Sequence, residues 1–456
     1  MEDGKRLMGL DVMRGITMAV MLIVDATGEA YPTIGHAPWN GLHLADFVMP
    51  YFLFISGISA SISVKIRPRQ LARSIFLRVL FRVLRLFALG IAVQGSIFHV
   101  TEGGPLLLLN LSTVRIMGIL QRIAIVFLIV IAIELFIPAR RTDLTGALLY
   151  EEQQGIGLWI IWRTALRWAS ALAVVLAGEL LGSLSPPSSW PGCAQTLYSS
   201  DPSRADAQQL HEMGCSSVGW LDSLLLGVNH LYITGNNQGP EVDASFGFDP
   251  EGLVTTLNAV FPMFVGLHVG RAALLLDMKN LFVHWTLLGT FFSVLGFWMT
   301  TWIAFNKRLW SPSYSLFTTG TGILMYALLF LLCDHNLPVS RSALSASFGK
   351  VGRFLSNILR PFQWLGSNCI LFFVFSECCG VLSWFLQTIT WGAQNAKQNL
   401  VSWFHDKFLW HSCGLGKSCT SQSPCGPVEV VFTAVGLLFW ILVCGLLHRK
   451  GIFWKI

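Results

Sequence analysis

The residues best suited to chemistry lie in one stretch, Asp25 to Gly57, between two apolar segments. The stretch contains no lysine or arginine, and its polar and aromatic members of interest are Asp25, Glu29, His36, Trp39, Asn40, His43 and Asp46. Ionisable side chains beside membrane-embedded segments are costly and are generally retained for function. The stretch is therefore the first candidate for a site.

His36 is the leading candidate within this stretch. Imidazole titrates near neutrality, so His36 can act as a general base or as a nucleophile. A carboxylate of Asp25, Glu29 or Asp46 can fix its tautomer, and the sequence does not choose among them. The alternative is a histidine that only packs or caps a loop. The surrounding carboxylates and Asn40 count in favour of a catalytic role.

A second group of candidates is basic. Asp11 and Arg14 are three residues apart and can pair on one helical face, either as a simple interfacial ion pair or as part of a site. Arg78, Arg82 and Arg85 follow i, i+4, i+7 spacing and are predicted to form one stripe. Guanidinium groups suit phosphates, and they also anchor cytosolic helix ends. Spacing alone favours the anchor.

Arg115 and Arg122 are seven residues apart and are predicted to share a helical face. Arg122 lies inside an apolar run, where a charge costs roughly 2.5–3.5 kcal/mol on insertion scales. We therefore expect Arg122 to face the protein interior and to pair with Glu134, Glu179 or Glu377. A structural ion pair and a ligand contact both remain open.

The composition identifies the elements that must position these residues. Of 456 residues, 53% are hydrophobic and only 12% are charged, which excludes an ordinary soluble domain. Long apolar runs indicate membrane-spanning helices. The net charge of +6 does not indicate nucleic-acid binding, because the basic residues cluster between apolar runs. We expect an all-α polytopic membrane protein that forms one domain over residues 1–456.

About ten transmembrane helices are predicted, near residues 12–25, 44–63, 76–99, 116–137, 157–183, 253–270, 281–304, 315–333, 363–388 and 429–447. Every even-numbered loop is basic, so the positive-inside rule predicts that both termini are cytosolic. Lys307 and Arg308 are the main exception, because they lie in an odd-numbered loop. The loops 184–252 and 391–427 are predicted to face the lumen or the exterior.

Cysteines in these two loops can form disulfides on the non-cytosolic side. Cys193 and Cys215 lie in the first loop, and Cys413, Cys419 and Cys425 lie in the second; their pairing cannot be deduced from the sequence. No clustered histidine completes a zinc site, so we expect no metal. Asn110 begins a glycosylation sequon in another odd-numbered loop.

Two further segments have ordinary structural interpretations. Asp249, Pro250 and Glu251 are typical of a helix start, with Asp249 as the N-cap and proline in the first turn. Gly266 and Gly270 have the small-residue spacing that lets a membrane helix approach a neighbour closely.

Taken together, several segments resemble the heparan-α-glucosaminide N-acetyltransferase family of membrane acyltransferases. The matching segments, in the family's order, are RLMGLDVMRG, GHAPWNGLHLADFVMP within the Asp25 to Gly57 stretch, VRIMGILQRIA, VGWLDSLLLGVNHLY, FDPEGLVTTLNAV, FNKRLWSPSY and PFQWLGSNCILF. They cover nearly the whole chain.

The resemblance implies an enzyme that moves an acetyl group from cytosolic acetyl-CoA to the amine of a terminal glucosamine, as in heparan sulfate, on the lumenal side. It makes His36 the catalytic histidine and places the motif's asparagine at Asn40. Where the family has a second asparagine this chain has Asp25, and an ionised carboxylate cannot donate a hydrogen bond.

The charge pattern places His36 on the side opposite the cytosolic donor. The pantetheine arm of acetyl-CoA must therefore enter the helix bundle from the basic face. We expect its phosphates to bind near Arg14, Arg82, Arg85 and Arg122.

The expected surroundings are a lysosomal, vacuolar or other endomembrane bilayer, and the expected assembly is a homodimer without nucleic acid. An acyltransferase of the same architecture with another sugar acceptor is an alternative. The rival from another class is a transporter, since charged groups near helix ends also mark permeation paths.

Overall fold

The computed structural model describes residues 7–28, 31–63, 72–94, 98–101, 104–107, 114–137, 158–190, 193, 215–234, 247–334, 343–377, 390–391, 398–399 and 426–454. Apolar runs fold as helices because a helix satisfies its own backbone polar groups. The α-helices are α1 Met8–Thr27, α2 Val48–Ser63, α3 Ala72–Gln94, α4 Ile119–Phe136, α5 Leu158–Arg163, α6 Ala165–Gly182, α7 Ser217–Leu226, α8 Leu253–Asn258, α9 Val260–Leu275, α10 Met278–Met299, α11 Pro312–Cys333, α12 Ala343–Ser367, α13 Cys369–Glu377 and α14 Gly426–Arg449. The all-α prediction is confirmed.

The remaining regular elements are small. Two 3-10 helices span Leu44–Phe47 and Val228–His230. The strands are β1 Phe98–Thr101, β2 Gly104–Leu107, β3 Ile233–Thr234, β4 Gly247–Phe248, β5 Thr390–Trp391 and β6 Gln398–Asn399. They pair antiparallel as β1 with β2, β3 with β4 and β5 with β6, and Ile233 lies opposite Phe248.

Each of the ten regions that the sequence predicts to be helical contains at least one described helix, although α3 ends at Gln94 and the predicted helix 76–99 runs on into β1. Within the described residues, six are long and apolar enough to cross a membrane: Leu44–Ser63, Ile119–Phe136, Ala165–Gly182, Leu253–Leu275, Met278–Met299 and Pro312–Cys333. The pair Phe354–Ser367 and Cys369–Ser376, bent by 69°, makes a seventh if it is one span. Ten spans and cytosolic termini stay predictions.

Two predicted helix boundaries are corrected. Helix α4 begins at Ile119, and residues 114–118 before it are extended, so Arg115 does not share a helical face with Arg122. The single helix predicted for 363–388 is instead bent near Asn368, where α12 ends and α13 begins. Both differences lie at helix ends, where a hydropathy pattern carries little information.

The predicted close approach of the helix that carries Gly266 is confirmed. A Cβ atom added to Gly266 would lie 2.1 Å from the backbone oxygen of Phe54 in α2, so only glycine fits there. Gly57 of α2 has the same relation to Met263 of α9, where the added atom would lie 2.0 Å from the backbone oxygen. Such backbone contact is how membrane helices gain packing energy. It fixes α2 and α9 relative to each other.

The described part of the loop predicted over 184–252 contains α7 and the strand pair β3–β4. Cys193 and Cys215 are joined by a disulfide, as the sequence suggested was possible. Most of the second predicted loop, 391–427, lies outside the described residues, and so do Glu29, Cys413, Cys419, Cys425 and the Asn110 sequon.

Candidate active site

His36 lies beside Asp46, and this pair forms the centre of the site. His36 Nδ1 is 2.9 Å from Asp46 Oδ1. The His36 side chain is 46% exposed, whereas the Asp46 side chain is 1% exposed. Of the two described carboxylates that the sequence offered as partners for His36, Asp25 and Asp46, it is Asp46 that hydrogen-bonds to the ring. A hydrogen on Nδ1 donated to Asp46 leaves the Nε2 lone pair free to act as a base or nucleophile.

The loop folds around Asp46 because Asp46 also accepts backbone hydrogen bonds. Asp46 Oδ2 accepts from His43 N at 2.9 Å and from Ala37 N at 3.3 Å, so the residues on both sides of the HAPWNGLH turn are tied to one carboxylate. The backbone oxygen of Asp46 accepts from the Tyr314 hydroxyl of α11 at 2.6 Å. The catalytic candidate is therefore held by a buried group that is itself fixed to a core helix.

Lys307 is a member of the site that the sequence interpretation missed. Its Nζ is 3.1 Å from His36 Nδ1 and 3.2 Å from Nε2. Burial lowers the pKa of Lys307, while Glu251 and Asp46 oppose that shift. The sequence signal was available, because Lys307 breaks the predicted positive-inside pattern of the loops.

Asn40 ties the histidine loop to the segment that carries Lys307. Asn40 Oδ1 accepts a hydrogen bond from Asn306 Nδ2 at 3.2 Å, and Gly41 N donates to Phe305 O at 2.8 Å. Gly41 has φ +128°, a conformation that glycine adopts readily. The structure thus gives Asn40 a positioning contact at the site.

A small cavity of about 70 Å³ opens beside His36. Its polar lining consists of Asp25, His36, Glu251 and Lys307, and its apolar lining includes Phe52 and Ile119. Asp25 lies near the end of α1 and faces this cavity, although Asp46 is the partner of His36. The cavity therefore combines two carboxylates, an amine and an imidazole in one small space.

A larger cavity of about 430 Å³ lies between α1, α2, α3, α4 and α13. Its charged lining residues are Arg14 and Arg82, and Phe52 and Ile119 line this cavity as well as the small one. Arg14 Nη1 is 2.8 Å from Asp11 Oδ1, which confirms the predicted pair, and Arg14 also contacts the Ser59 hydroxyl. Phe52 and Ile119 therefore lie where the two cavities adjoin.

The structure divides the arginine stripe of α3. Arg82 lines the larger cavity and lies over the Phe127 ring, with 5.4 Å from Cζ to the ring centroid. Arg78 and Arg85 instead line an open groove on the outer surface with Phe81 and Leu84. Arg85 is not one of the described residues that line the larger cavity. The stripe thus has one inward-facing member.

Arg122 lies in a different place from the one expected. It is 1% exposed, it contacts the backbone oxygen of Pro250 and the hydroxyls of Thr255 and Thr256, and its Cζ is 4.9 Å from the Trp310 ring centroid. Neither Glu134 nor Glu179 is among these groups, so the predicted pairing of Arg122 with either is wrong. The side chain of Glu377, the third predicted partner, lies outside the described residues. Within the described part of the chain, Arg122 lines neither cavity.

Glu134 is bound to other arginines. It pairs with Arg167 of α6 at 2.7 Å and with Arg271 of α9. The three residues lie on three different helices, so this cluster joins α4, α6 and α9. Glu134 is therefore a structural residue.

The guanidinium group of Arg122 packs on the Trp310 ring, and Trp310 has an unusual backbone conformation. It has φ 56°, a left-handed conformation that costs energy in a non-glycine residue, and its side chain is fully buried. Arg122 therefore helps to hold the Asn306 to Trp310 turn that presents Lys307.

The N-cap prediction for Asp249 is also wrong. Helix α8 begins at Leu253, and its first amides, Leu253 N and Val254 N, donate to Asp222 Oδ1 of α7 at 3.0 and 3.3 Å. Asp249 instead binds Arg115 through Nε at 3.0 Å and Nη2 at 2.8 Å. A side chain distant in the sequence has taken the capping role, which a local pattern cannot reveal.

Glu251 connects this ion cluster to the small cavity. Arg115 Nη2 is 2.8 Å from Glu251 Oε2. Burial alone would raise the pKa of Glu251, but the charges of Arg115, Arg122 and Lys307 hold that pKa below its usual value. Glu251 is therefore ionised at neutral pH and presents a negative charge to Lys307.

The fold and the site define a helical membrane protein with a histidine–carboxylate pair beside an internal cavity. Residues 6–169 match the family model for heparan-alpha-glucosaminide N-acetyltransferase, catalytic, and this range contains every residue that the sequence proposed for the site. The chain is 26% identical to the human heparan-alpha-glucosaminide N-acetyltransferase over 471 residues, which cover 99% of this chain and 60% of the human protein. It is 26% identical to the mouse protein over 477 residues, which cover 100% of this chain and 61% of the mouse protein.

The chain is thus similar to heparan-alpha-glucosaminide N-acetyltransferases, by the family model over residues 6–169 and by the two relatives over nearly its whole length. It spans about three fifths of the length of the curated relatives that it matches. Lys307 and Glu251 lie beyond the region that the family model matches, so the structure adds them to the site.

Proposed function

We propose that the protein is a transmembrane acetyltransferase that takes an acetyl group from acetyl-CoA and passes it to the amine of an amino sugar on the opposite side of the membrane. The observation that carries this proposal is the pair of cavities. One contains two arginines, the other contains His36, and they share Phe52 and Ile119 as walls. Opening that wall gives a path through the helix bundle from a basic chamber to the histidine.

The larger cavity suits the donor. Its volume of about 430 Å³ lies within the range of small-molecule sites, about 300–1,000 Å³. Arg14 and Arg82 supply guanidinium groups that can bind phosphate oxygens, and the apolar walls suit the pantetheine arm. Arg85 faces the outer groove, and Arg122 supports the turn near Lys307, so we now assign donor binding to Arg14 and Arg82.

The small cavity suits the transfer step. Asp46 holds His36 so that Nε2 can accept a proton or attack the thioester. In one route His36 carries the acetyl group transiently, and in the other it deprotonates the acceptor amine while both substrates are bound. Rapid quenching of purified protein with radiolabelled acetyl-CoA and no acceptor separates them: a label on His36 that hydroxylamine removes supports the first route, and its absence supports the second.

The acceptor class follows from the charges that line the small cavity. Asp25 and Glu251 are carboxylates that can attract an ammonium group before it loses its proton. A terminal glucosamine amine, as on heparan sulfate, fits this requirement, and so do other amino sugars. Asp25 stands where the family has asparagine, so its charge adds attraction for a cationic acceptor.

The test is acetyl transfer by purified protein from acetyl-CoA to a panel of amino sugars. His36→Ala is expected to abolish transfer while acetyl-CoA binding survives. His230→Ala is the matched control, because the His230 ring contacts the Val114 backbone oxygen and does not line either cavity in the described part of the chain. Full transfer by His36→Ala contradicts the proposal, and solute movement without acetyl-CoA consumption supports a transporter instead.

The location and assembly expected from the sequence stay predictions. The apolar helices indicate a membrane protein, and an endomembrane location such as the lysosome or vacuole is tested by imaging a tagged chain. The expected homodimer is tested by light scattering of the detergent-purified protein.

A further inference from the structure

The position of the Lys307 amine relative to His36 is unusual. An amine on the lone-pair axis of one ring nitrogen would lie far from the other ring nitrogen. Lys307 Nζ is instead almost equidistant from the two, at 3.1 and 3.2 Å. These distances place the amine over the face of the imidazole and in direct contact with it.

This arrangement puts a primary amine where the acceptor amine must react. Lys307 lines the same small cavity as His36, and the cavity shares walls with the larger one. An acetyl group that the donor thioester brings into this cavity would therefore meet the Lys307 amine before any outside acceptor. Effective concentrations of groups held in this way are very high, so even a small neutral fraction of the amine reacts at a useful rate.

We infer that Lys307 is a self-acetylation site, which the protein modifies when the acetyl donor is bound and no acceptor amine occupies the small cavity. The inference rests on the proposed acetyltransferase function. In the step itself the Lys307 Nζ lone pair attacks the acetyl carbonyl carbon, a C–N bond forms and the C–S bond of the thioester breaks. As the amine moves off the ring face toward the acetyl carbon, His36 Nε2 takes its proton and returns it to the leaving thiolate. The products are N-acetyl-lysine and a free thiol.

The electrostatic surroundings set how often the amine is neutral and reactive. Burial lowers the pKa of Lys307. Arg122 and Arg308 lower that pKa further, whereas the charges of Glu251 and Asp46 raise it. The His36 ring contacts the amine directly. Below the Lys307 pKa the neutral fraction rises tenfold for each pH unit, so self-acetylation is expected to accelerate about tenfold per unit until that pKa is reached.

Acetylation would change the site permanently. An amide is stable and uncharged, so Glu251 and Asp46 would lose the cation that they face. The added acetyl group would also occupy part of a cavity of only about 70 Å³. Progressive loss of transfer activity is therefore expected when the enzyme is kept with donor alone, and an acceptor should protect it by competing for the acetyl group.

The experiment incubates the full-length purified protein with radiolabelled acetyl-CoA, without acceptor, across a pH series. Digestion and mass spectrometry then locate the label that survives hydroxylamine. The expected result is one stable acetyl group per chain on Lys307, little on other lysines such as Lys279 and Lys450, and at least a tenfold reduction when amino sugar is present. Lys307→Arg should carry no stable label, and His36→Ala should carry at least tenfold less.

Two readouts keep the outcome clear. Wild-type protein preincubated with donor alone should lose transfer activity as the Lys307 label accumulates, whereas Lys307→Arg should keep its own starting rate, whatever that rate is. If the wild type acetylates amino sugars but Lys307 stays unmodified after prolonged exposure to donor, the self-acetylation inference is overturned and the proposed function stands. If neither Lys307 nor any amino sugar is acetylated, the proposed function itself has failed.

Discussion

Replacement of Asp46 by asparagine tests the role of the His36–Asp46 pair without changing its shape. Asp46 Oδ2 accepts two backbone hydrogen bonds, from His43 and Ala37, and the amide oxygen of asparagine can keep both. The amide nitrogen must then take the Oδ1 position, 2.9 Å from His36 Nδ1. Because an amide nitrogen only donates, the ring hydrogen moves to Nε2 and the reactive lone pair is lost.

The expected loss follows from what the lone pair contributes. General acid–base catalysis by a positioned side chain contributes roughly 10²–10⁴ in rate. At about 1.4 kcal/mol for each factor of ten, this is about 3–5 kcal/mol of transition-state stabilisation. We therefore expect Asp46→Asn to lower the acetyl-transfer rate by roughly 10²–10⁴. Acetyl-CoA affinity should be nearly unchanged, because Asp46 does not line the larger cavity in the described structure.

The assay is steady-state acetyl transfer together with direct donor binding. Asp222→Asn is the matched control, since Asp222 is as buried as Asp46 and uses one carboxylate oxygen to cap α8. The control should retain its transfer rate within about threefold, well below a single tenfold step of about 1.4 kcal/mol. Asp46→Asn with a rate equally close to wild type would refute the assignment of the His36 tautomer to Asp46.

Three further predictions concern the donor cavity, helix packing and pH. Arg82→Ala should weaken acetyl-CoA binding roughly 10- to 100-fold, because it removes a charged hydrogen-bond donor from the larger cavity. Arg85→Ala, on the outer face of α3, should leave the affinity for acetyl-CoA unchanged when it is measured by calorimetry. Equal effects of the two variants would contradict the assignment of the donor to the larger cavity. Gly266→Ala should destabilise the protein by about 1–3 kcal/mol, because the added methyl group would collide with the backbone of α2. Gly182 has open space around it, so Gly182→Ala should not destabilise the protein. Similar thermal melts for the two variants would contradict the close contact between α2 and α9. Burial raises the pKa of the Asp222 carboxyl group to about 7 in the folded protein. As the pH rises from about 4 to 7, this carboxyl group ionises in the unfolded chain but keeps its proton in the folded protein. The free energy of unfolding therefore falls over this range, by about 4 kcal/mol. Melts of Asp222→Asn should therefore depend less on pH across that window, and parallel profiles would contradict the assignment.

The sequence predicted the helices well because long apolar runs have few alternatives in a bilayer. It also made His36 the leading candidate, because a polar loop without basic residues stands out between apolar segments. The Asp11–Arg14 pair and the close approach at Gly266 were predictable because both depend on the spacing of residues along one helix. Local patterns were sufficient wherever one helix determined the outcome.

The remaining parts of the site depend on contacts between distant segments. Lys307 reaches His36 from a loop far along the chain, and Asp222 caps a helix that Asp249 was expected to cap. The division of the arginine stripe between the larger cavity and the outer groove has a related reason. Arg82 and Arg85 differ by about 60° around an ideal helix, and the edge of the larger cavity falls between them. No periodicity in α3 shows where its neighbours lie.

Vectorial transfer in sealed proteoliposomes tests the central claim, a path through the bundle from donor cavity to His36. Protein is reconstituted in both orientations, with acetyl-CoA outside and either an enclosed or an external amino sugar, neither of which crosses the bilayer. The account predicts acetylated sugar only when donor and acceptor are on opposite sides, and none with His36→Ala. Equal product with both substrates on the same side would contradict the account.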